Sequence, residues 1–284
     1  MIVVTGATGQ LGRLVVEALV EKVDADQVVA AVRDPQKAAD LAGLGVQVRT
    51  ADYNEPSTLA EAFAGADKVL LISSSEVGSR VAQHTAVIDA AKAAGVGHLL
   101  YTSILYADTT SISLAPEHKA TEELIRESGI PFTFLRNGWY TENYEQSVAQ
   151  GLEFGAIVGS AGDGRLGGVP RADYADAAVA ALTGEGHEGK AYELAADEPW
   201  TLTEFAEAIT RISGKTVAYQ DLPADQHRGI LVGAGLPDFV ADMLVDADRA
   251  IAAGELASTS GDLSALIGRP TASLDESVAA LLKN

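Results

Sequence analysis

The chain contains no cysteine. That excludes a disulfide framework, thiolate catalysis and any cysteine-ligated metal. The five histidines, His84, His98, His118, His187 and His227, include no pair three or four residues apart, so no metal-binding helix is expected. No apolar run approaches the length that spans a bilayer, and membrane insertion is not expected. The first residues carry neither a basic stretch nor a cleavage site, which leads us to expect a soluble, cytoplasmic protein. Basic residues are scarce: 20 against 40 acidic ones, for a formal charge of −20. The charge is spread along the chain without an acidic tail. Such a surface repels a phosphate backbone, so direct nucleic-acid binding is not expected. Repeats, low-complexity tracts, a nucleophile elbow and a Walker loop are also absent.

What is present begins at once. The apolar run Ile2–Thr5 ends in Gly6-Ala7-Thr8-Gly9-Gln10-Leu11-Gly12, and an amphipathic pattern follows to Val20. Glycines spaced G-x-x-G-x-x-G between a strand and a helix mark a dinucleotide-binding turn. Gly6 permits the tight turn, Gly9 bares the backbone for a pyrophosphate, and Gly12 lets the helix pack close to the strand. The free N–H groups and positive end of the helix then face the phosphates. The context of strand, loop and helix makes this motif specific where three glycines alone are not.

Apolar runs and helical patterns alternate onward. Strands are expected at Gln27–Val32, Val46–Thr50, Val69–Ile72, Leu99–Thr102 and Phe132–Leu135. Helices are expected at Asp34–Leu41, Thr58–Phe63, Arg80–Ala94 and Glu117–Ser128. This rhythm implies a Rossmann-like, doubly wound α/β fold with a parallel sheet and right-handed crossovers. After Asn137 the rhythm changes. Trp139–Gly151 and Arg171–Leu182 read as helices, and Lys190–Ala195 as a strand returning to the sheet. Thr201 and Ser273 open further helices by capping-box spacing. We expect a cofactor-binding domain over 1–138 with a return segment at 171–198. A smaller, mostly helical C-terminal domain on the substrate side takes 139–170 and 199–284. Ligands belong in the cleft at the carboxyl ends of the strands.

Arg33 ends the second strand, where an acid would bond a ribose 2′-hydroxyl and an arginine accommodates a 2′-phosphate. Its permanent charge and planar fork suit phosphate, with Lys37 one turn on. Asp34 could instead mark NADH, but Asp34-Pro35 also makes a helix start. NADPH is therefore favoured over NADH. Ser73, Ser74 and Ser75 follow the fourth strand, either as an ordinary turn or as hydroxyl donors to the cofactor. Asn137 can bond a carboxamide, and Gly138 allows close approach. Trp139 and Tyr140 offer flat faces for a planar ligand, or they plug the junction between domains.

The most telling absence concerns acid–base catalysis. None of the eight tyrosines has lysine four residues later, so the Tyr-x-x-x-Lys pair of ordinary short-chain dehydrogenases is missing. His118 and Lys119 are the nearest candidate donors. Packing is an equal reading for His118, and a solvated helix face the better one for Lys119. Reducing a ketone creates a strongly basic alkoxide that needs a proton delivered. Reducing a quinone creates a phenolate with pKa about 10, which water can protonate. A quinone can thus take hydride from a well-placed nicotinamide with little acid help.

Several segments resemble those of bacterial type 2 NAD(P)H:quinone oxidoreductases, in the NmrA-like branch of atypical short-chain dehydrogenases. They are Val4–Gly12, Ala31–Pro35, Leu71–Gly78 and Leu135–Tyr144. Ala161–Gly164, Arg171–Tyr174 and Gly235–Asp238 agree, so the likeness covers essentially the whole chain. The resemblance implies an NADPH-dependent two-electron reductase of quinones without flavin or metal. It implies Gly6, Ala7, Thr8, Gly9, Gln10 and Leu11 on the pyrophosphate and Arg33 on the 2′-phosphate. Ser73 to Ser75 would line the cofactor, with Asn137, Gly138, Trp139, Tyr140, Thr141 and Glu142 around the nicotinamide. Tyr140 and Asn143 would face the substrate. The stretch Leu166-Gly167-Gly168-Val169-Pro170 departs from the pattern and puts a cofactor contact from that loop in doubt. The alternative is an NmrA-like dinucleotide-binding redox sensor without turnover. An extended-type epimerase or dehydratase is disfavoured by the missing Tyr-x-x-x-Lys. The physiological quinone and the oligomeric state are left open.

Overall fold

A computed structural model describes residues 1–283. Seven parallel strands form the central sheet: β1 (Ile2–Thr5), β2 (Val28–Val32), β3 (Gln47–Thr50), β4 (Lys68–Leu71), β5 (His98–Ile104), β6 (Phe132–Asn137) and β8 (Lys190–Leu194). Their spatial order is β3-β2-β1-β4-β5-β6-β8. The order reverses between β1 and β4, which makes that crevice the switch point where open α/β sheets bind ligands.

The inner strands β1, β2, β4 and β5 are buried at nearly every position because both faces are covered, whereas the edge strands β3 and β8 carry polar residues and are partly exposed. Successive side chains point to opposite faces, and the packing follows that parity. Val4, Ala30, Leu70, Leu100 and Leu135 pack with helices α1 (Gln10–Val20) and α7 (Arg171–Thr183). Val3, Val29, Val69, Leu99 and Phe134 pack on the other face. There they meet α3 (Pro56–Ala62), α4 (Arg80–Ala93) and α5 (Ala115–Ser128). The region after β2 begins with a short 3-10 turn, Pro35–Ala38, before α2 (Ala39–Gly43).

A second, smaller core gathers α6 (Glu145–Phe154), β7 (Ala156–Gly159), α8 (Leu202–Ser213), β9 (Ala218–Asp221) and α10 (Asp238–Ala252). Helices α9 (Ala224–Gly233), α11 (Asp262–Ile267) and α12 (Leu274–Leu281) complete the chain. Strands β7 and β9 pair in parallel as a separate two-stranded sheet. Thr201 and Ser273 both make complete capping boxes. The sequence reading has no counterpart for β7, whose four residues are too short to show a period. It also starts α6 too early. Tyr140 is extended and bridges Val169, and a 3-10 turn over Thr141–Tyr144 precedes the helix. A long-range pairing overrides the local helical pattern.

The far side of the sheet is tied by a buried ion network. Arg136 on β6 makes two bonds to Glu122 of α5, at 2.9 and 2.8 Å, and one to Glu193 of β8 at 2.7 Å. Ser103 donates to the same Glu122 carboxylate. A bidentate guanidinium–carboxylate pair satisfies both partners' planar geometry. Removing one member of such a pair strands the other in low dielectric, at a cost of about 3 kcal/mol. Arg136→Met, which takes the guanidinium from the buried Glu122 carboxylate, is therefore expected to lower the unfolding free energy by about 3 kcal/mol in urea titration. The apolar double replacement Glu122→Leu/Arg136→Met should lose less than the single variant, and equal losses would contradict the account.

Candidate functional site

The glycine loop turns as expected. Gly6 has φ +58°, a left-handed conformation that side chains rarely adopt. Its carbonyl accepts from Gly9 N at 2.9 Å. A Cβ on Gly12 would lie 2.3 Å from that same carbonyl oxygen and 2.8 Å from Ala7 Cα. The close packing at Gly12 is thus against the loop itself rather than the strand. No side chain caps α1 at Gly9, so the first N–H groups of the helix stay available to an anion. Ala7 and Leu11 are buried, whereas Thr8, Gly9 and Gln10 are accessible. A backbone cradle of this shape fits a pyrophosphate.

At the end of β2, Arg33 is exposed and reaches Glu76 at 3.3 Å. Exposed ion pairs contribute at most about 1 kcal/mol, so the guanidinium can turn to a stronger anion. The Asp34 carboxylate accepts from Gln36 N at 3.0 Å and caps the following turn. That occupies it as a helix cap. Lys37 lies exposed on the same turn.

The serine run is held from behind. Ser73 N donates to Thr102 Oγ1 and Ser74 N to His84 Nε2. Arg80 donates to the Ser74 carbonyl and pairs with Glu117. Behind the run, the Thr121 hydroxyl donates to the Glu117 carbonyl and so receives the bond from His84 Nδ1. His84 therefore carries its proton on Nδ1 and presents a lone pair to Ser74. Burial, then nearby Arg80, pushes its pKa down to about 3.

His118 belongs to this same buried layer. Its Nδ1 bonds Tyr101 at 2.7 Å, and burial, Arg80 and His84 hold its pKa down to about 3. Its burial and its bond to Tyr101 favour the packing reading over the proton-donor one. The helix pattern could not reveal this, because burial by a neighbouring strand has no local signature.

Asn137, at the end of β6, donates to the Tyr140 hydroxyl at 3.2 Å. Its Oδ1 is buried without a partner, a polar atom that a ligand amide would satisfy. Gly138 is required for a different reason than the sequence suggests. A Cβ there would meet Leu194 O at 3.0 Å and the Tyr174 hydroxyl at 3.1 Å, so it answers to chain packing. Trp139 sits in the smaller core, and its carbonyl accepts from Tyr174, so it does plug the junction. Thr141 is buried and its N–H bonds Val169 O, so its side chain faces the interior. The Glu142 carboxylate accepts from Arg171 N, at the first turn of α7.

Arg171 is the residue that sequence reasoning missed as a site member. Its guanidinium lies over the Tyr140 ring, 4.4 Å from the centroid. It also reaches Glu142 at 3.4 Å and donates to Asn143 Oδ1 at 3.0 Å. One cation thereby positions three of the predicted residues. The available signals were its place directly after Pro170, at a helix start, and its membership of the Arg171–Tyr174 segment of the family resemblance. Burial pushes the Tyr140 phenol up, with Asn137 and Arg171 opposing, so the hydroxyl stays protonated. The Leu166–Pro170 loop serves this arrangement through backbone bonds to Trp139 and Thr141.

This fold and cradle define a dinucleotide-binding α/β protein. The NmrA-like family model matches residues 1–267, and the chain belongs to that family. Quinone oxidoreductase 2 of Escherichia coli strain K12 is 52% identical over 281 residues, covering 99% of this chain and 98% of that one. A crystal structure of an NADPH-dependent quinone oxidoreductase from Escherichia coli, complexed with NADPH, is similar with a TM-score of 0.97. It is 52% identical and covers 99% of this chain and 100% of that chain. The triphenylmethane reductase of Citrobacter sp., complexed with NADP(H), gives 0.93 at 43% identity, covering 99% and 100%.

Two outcomes test this geometry. Gly12→Ala forces a methyl group into the Gly6 carbonyl and should cost about 1–3 kcal/mol of stability. Gly43→Ala, with nothing within 4 Å, should cost none; equal effects in thermal unfolding would contradict the packing role. The buried histidines set a pH dependence. Unfolded, His84 and His118 take protons below about 6.5, whereas folded they resist until about 3. Their contribution is present above that upper value and is lost as pH falls through the window. Each should add a slope of up to about 1.4 kcal/mol per pH unit. Urea unfolding of His84→Gln/His118→Gln should show a shallower decline on acidification, and an unchanged slope would count against it.

Proposed function

We propose that the protein binds NADPH across the β1–β4 switch point and reduces quinones by hydride transfer, with neither flavin nor metal. The observation that carries this reading is the glycine cradle joined to an exposed arginine at the end of β2. The relatives named above support the same cofactor and acceptor. Gly6 to Leu11 would hold the pyrophosphate, Arg33 and Lys37 the 2′-phosphate, and the Ser73 and Ser75 hydroxyls the intervening sugar and phosphate groups. Asn137 and Tyr140 would orient the carboxamide end, with Asn143 toward the acceptor. The reduced nicotinamide, when bound, supplies the hydride. The protein's part is to place it against an electron-poor ring and exclude water.

A protonated Tyr140 and a neutral His118 leave the cofactor-side wall without a strong acid. A ketone acceptor is poorly served by such a wall, whereas a quinone tolerates it. The division of labour between 1–138 with 171–198 and the remaining segments is part of this proposal. So is a cytoplasmic location; among the described residues no helix is long and apolar enough to cross a membrane.

Protein stripped of flavin and metal should oxidise NADPH when 1,4-benzoquinone or 1,4-naphthoquinone is added. Tight cofactor binding without turnover across a quinone panel would favour the sensor role instead. Arg33→Ala should raise the KM for NADPH roughly tenfold, the loss of a charge-assisted contact, and leave the KM for NADH nearly unchanged. Equal changes in both would remove Arg33 from the 2′-phosphate.

A further inference from the structure

The smaller core encloses a cavity of about 80 Å³ between α6, β7, α9 and α10. Its walls are mostly apolar and include Leu231, Leu236, Leu244 and Tyr144. At one side it is lined by Trp139 and Asn143, from the segment that also holds Tyr140. Trp139 is 9% exposed, and its Nε1 is buried without a hydrogen-bond partner.

At another side the cavity meets His227 and Asp248, each only 6% exposed. Asp248 Oδ2 accepts from Ser160 N at 2.6 Å and lies 3.2 Å from His227 Nδ1. The Ser160 hydroxyl is 3.1 Å from the same nitrogen. A carboxylate so placed fixes the proton of Nδ1 and leaves Nε2 for other work. Among the described residues Nε2 has no hydrogen-bond partner, and Asp248 has no lysine or arginine partner. The other titratable groups around the pair are Tyr144, Tyr219 and Asp221; the Tyr219 hydroxyl donates to Asp221.

We propose that this cavity is the acceptor's ring site and that His227, backed by Asp248, protonates the quinone oxygen. The inference rests on the reductase reading and supplies the acid that the Tyr-x-x-x-Lys absence removes. The apolar walls suit a planar ring, and His227 lines the cavity where Nε2 can meet one of the ring's carbonyl oxygens. Hydride passes from the dihydronicotinamide to the quinone, oxidising the former and reducing the latter by two electrons. The donor is the imidazolium, with Nδ1–H held by Asp248: it passes its Nε2 proton to the phenolate oxygen, becomes the neutral imidazole, and takes a proton back at Nε2 from solvent. The sum is quinone, NADPH and a proton giving hydroquinone and NADP⁺.

The test uses His227→Gln and Leu231→Trp, the latter on the half-buried wall to block the slot. 1,4-Naphthoquinone is titrated into protein with NADP⁺ and followed by tryptophan fluorescence. Binding should be lost in Leu231→Trp and weakened in His227→Gln, while NADP⁺ affinity is unchanged in both. The His227→Gln kcat should fall at least about tenfold with tetramethyl-1,4-benzoquinone, whose phenolate product is the more basic. It should fall much less with tetrachloro-1,4-benzoquinone. An equal loss for both acceptors, or none, overturns the donor role. Unchanged naphthoquinone binding in a folded Leu231→Trp overturns the ring site. Wild-type protein that turns over no quinone overturns the reductase reading and the donor role together, whereas binding blocked by Leu231→Trp would still support the ring site.

Discussion

Everything at the cofactor end depends on one steric constraint, the close approach of α1 to the Gly6 carbonyl. That approach leaves no room for a side chain at Gly12. It brings the uncapped first turn of α1 to the crevice where the strand order reverses. The consequence is electrostatic. A chain with formal charge −20 repels a phosphorylated ligand at long range, but salt screens that field within about 10 Å. On the proposed reading, short-range donors then decide binding: fixed N–H groups at the helix end and the exposed guanidinium of Arg33. The fixed N–H groups need no reorganisation when an anion arrives, whereas Arg33 turns away from Glu76.

A second constraint joins the two cores. Arg171 begins a helix that packs on the sheet with α1. Its side chain reaches Tyr140, Glu142 and Asn143, on the segment leading into the smaller core. Bonds from Val169 and Tyr174 fix the Trp139 backbone on the same boundary. The segment 139–143 is therefore held by both parts of the molecule. A hydride donor and acceptor must meet at near van der Waals distance, and a segment fixed from both sides suits that demand.

Much of the fold is legible in the sequence. The inner strands are visible because burial on both faces demands apolar runs, and the edge strands β3 and β8 because they keep the strand–helix rhythm. Strand β7 is not, since Ala156–Gly159 is too short for periodicity to register. The start of α6 is misplaced because the Tyr140–Val169 bridge is a contact across sequence. At the site, glycine spacing and the strand-end position of Arg33 are local signals and read directly. The neutrality of His118 depends on Tyr101, Arg80 and His84, which come from other elements. The pairing of His227 with Asp248 joins two helices with no motif between them. Side chains whose chemistry is set by tertiary burial are invisible to spacing.

The central claim is that these residues aim a reduced nicotinamide directly at an electron-poor ring, with no intermediate carrier. The most direct measurement is a rapid-mixing single turnover of the flavin-free protein with 1,4-benzoquinone, using NADPH deuterated at the transferable position of C4. The account predicts that oxidation is slowed by deuterium and that the label leaves the cofactor in the first turnover. A bound cofactor that retains its deuterium and stays reduced would contradict it.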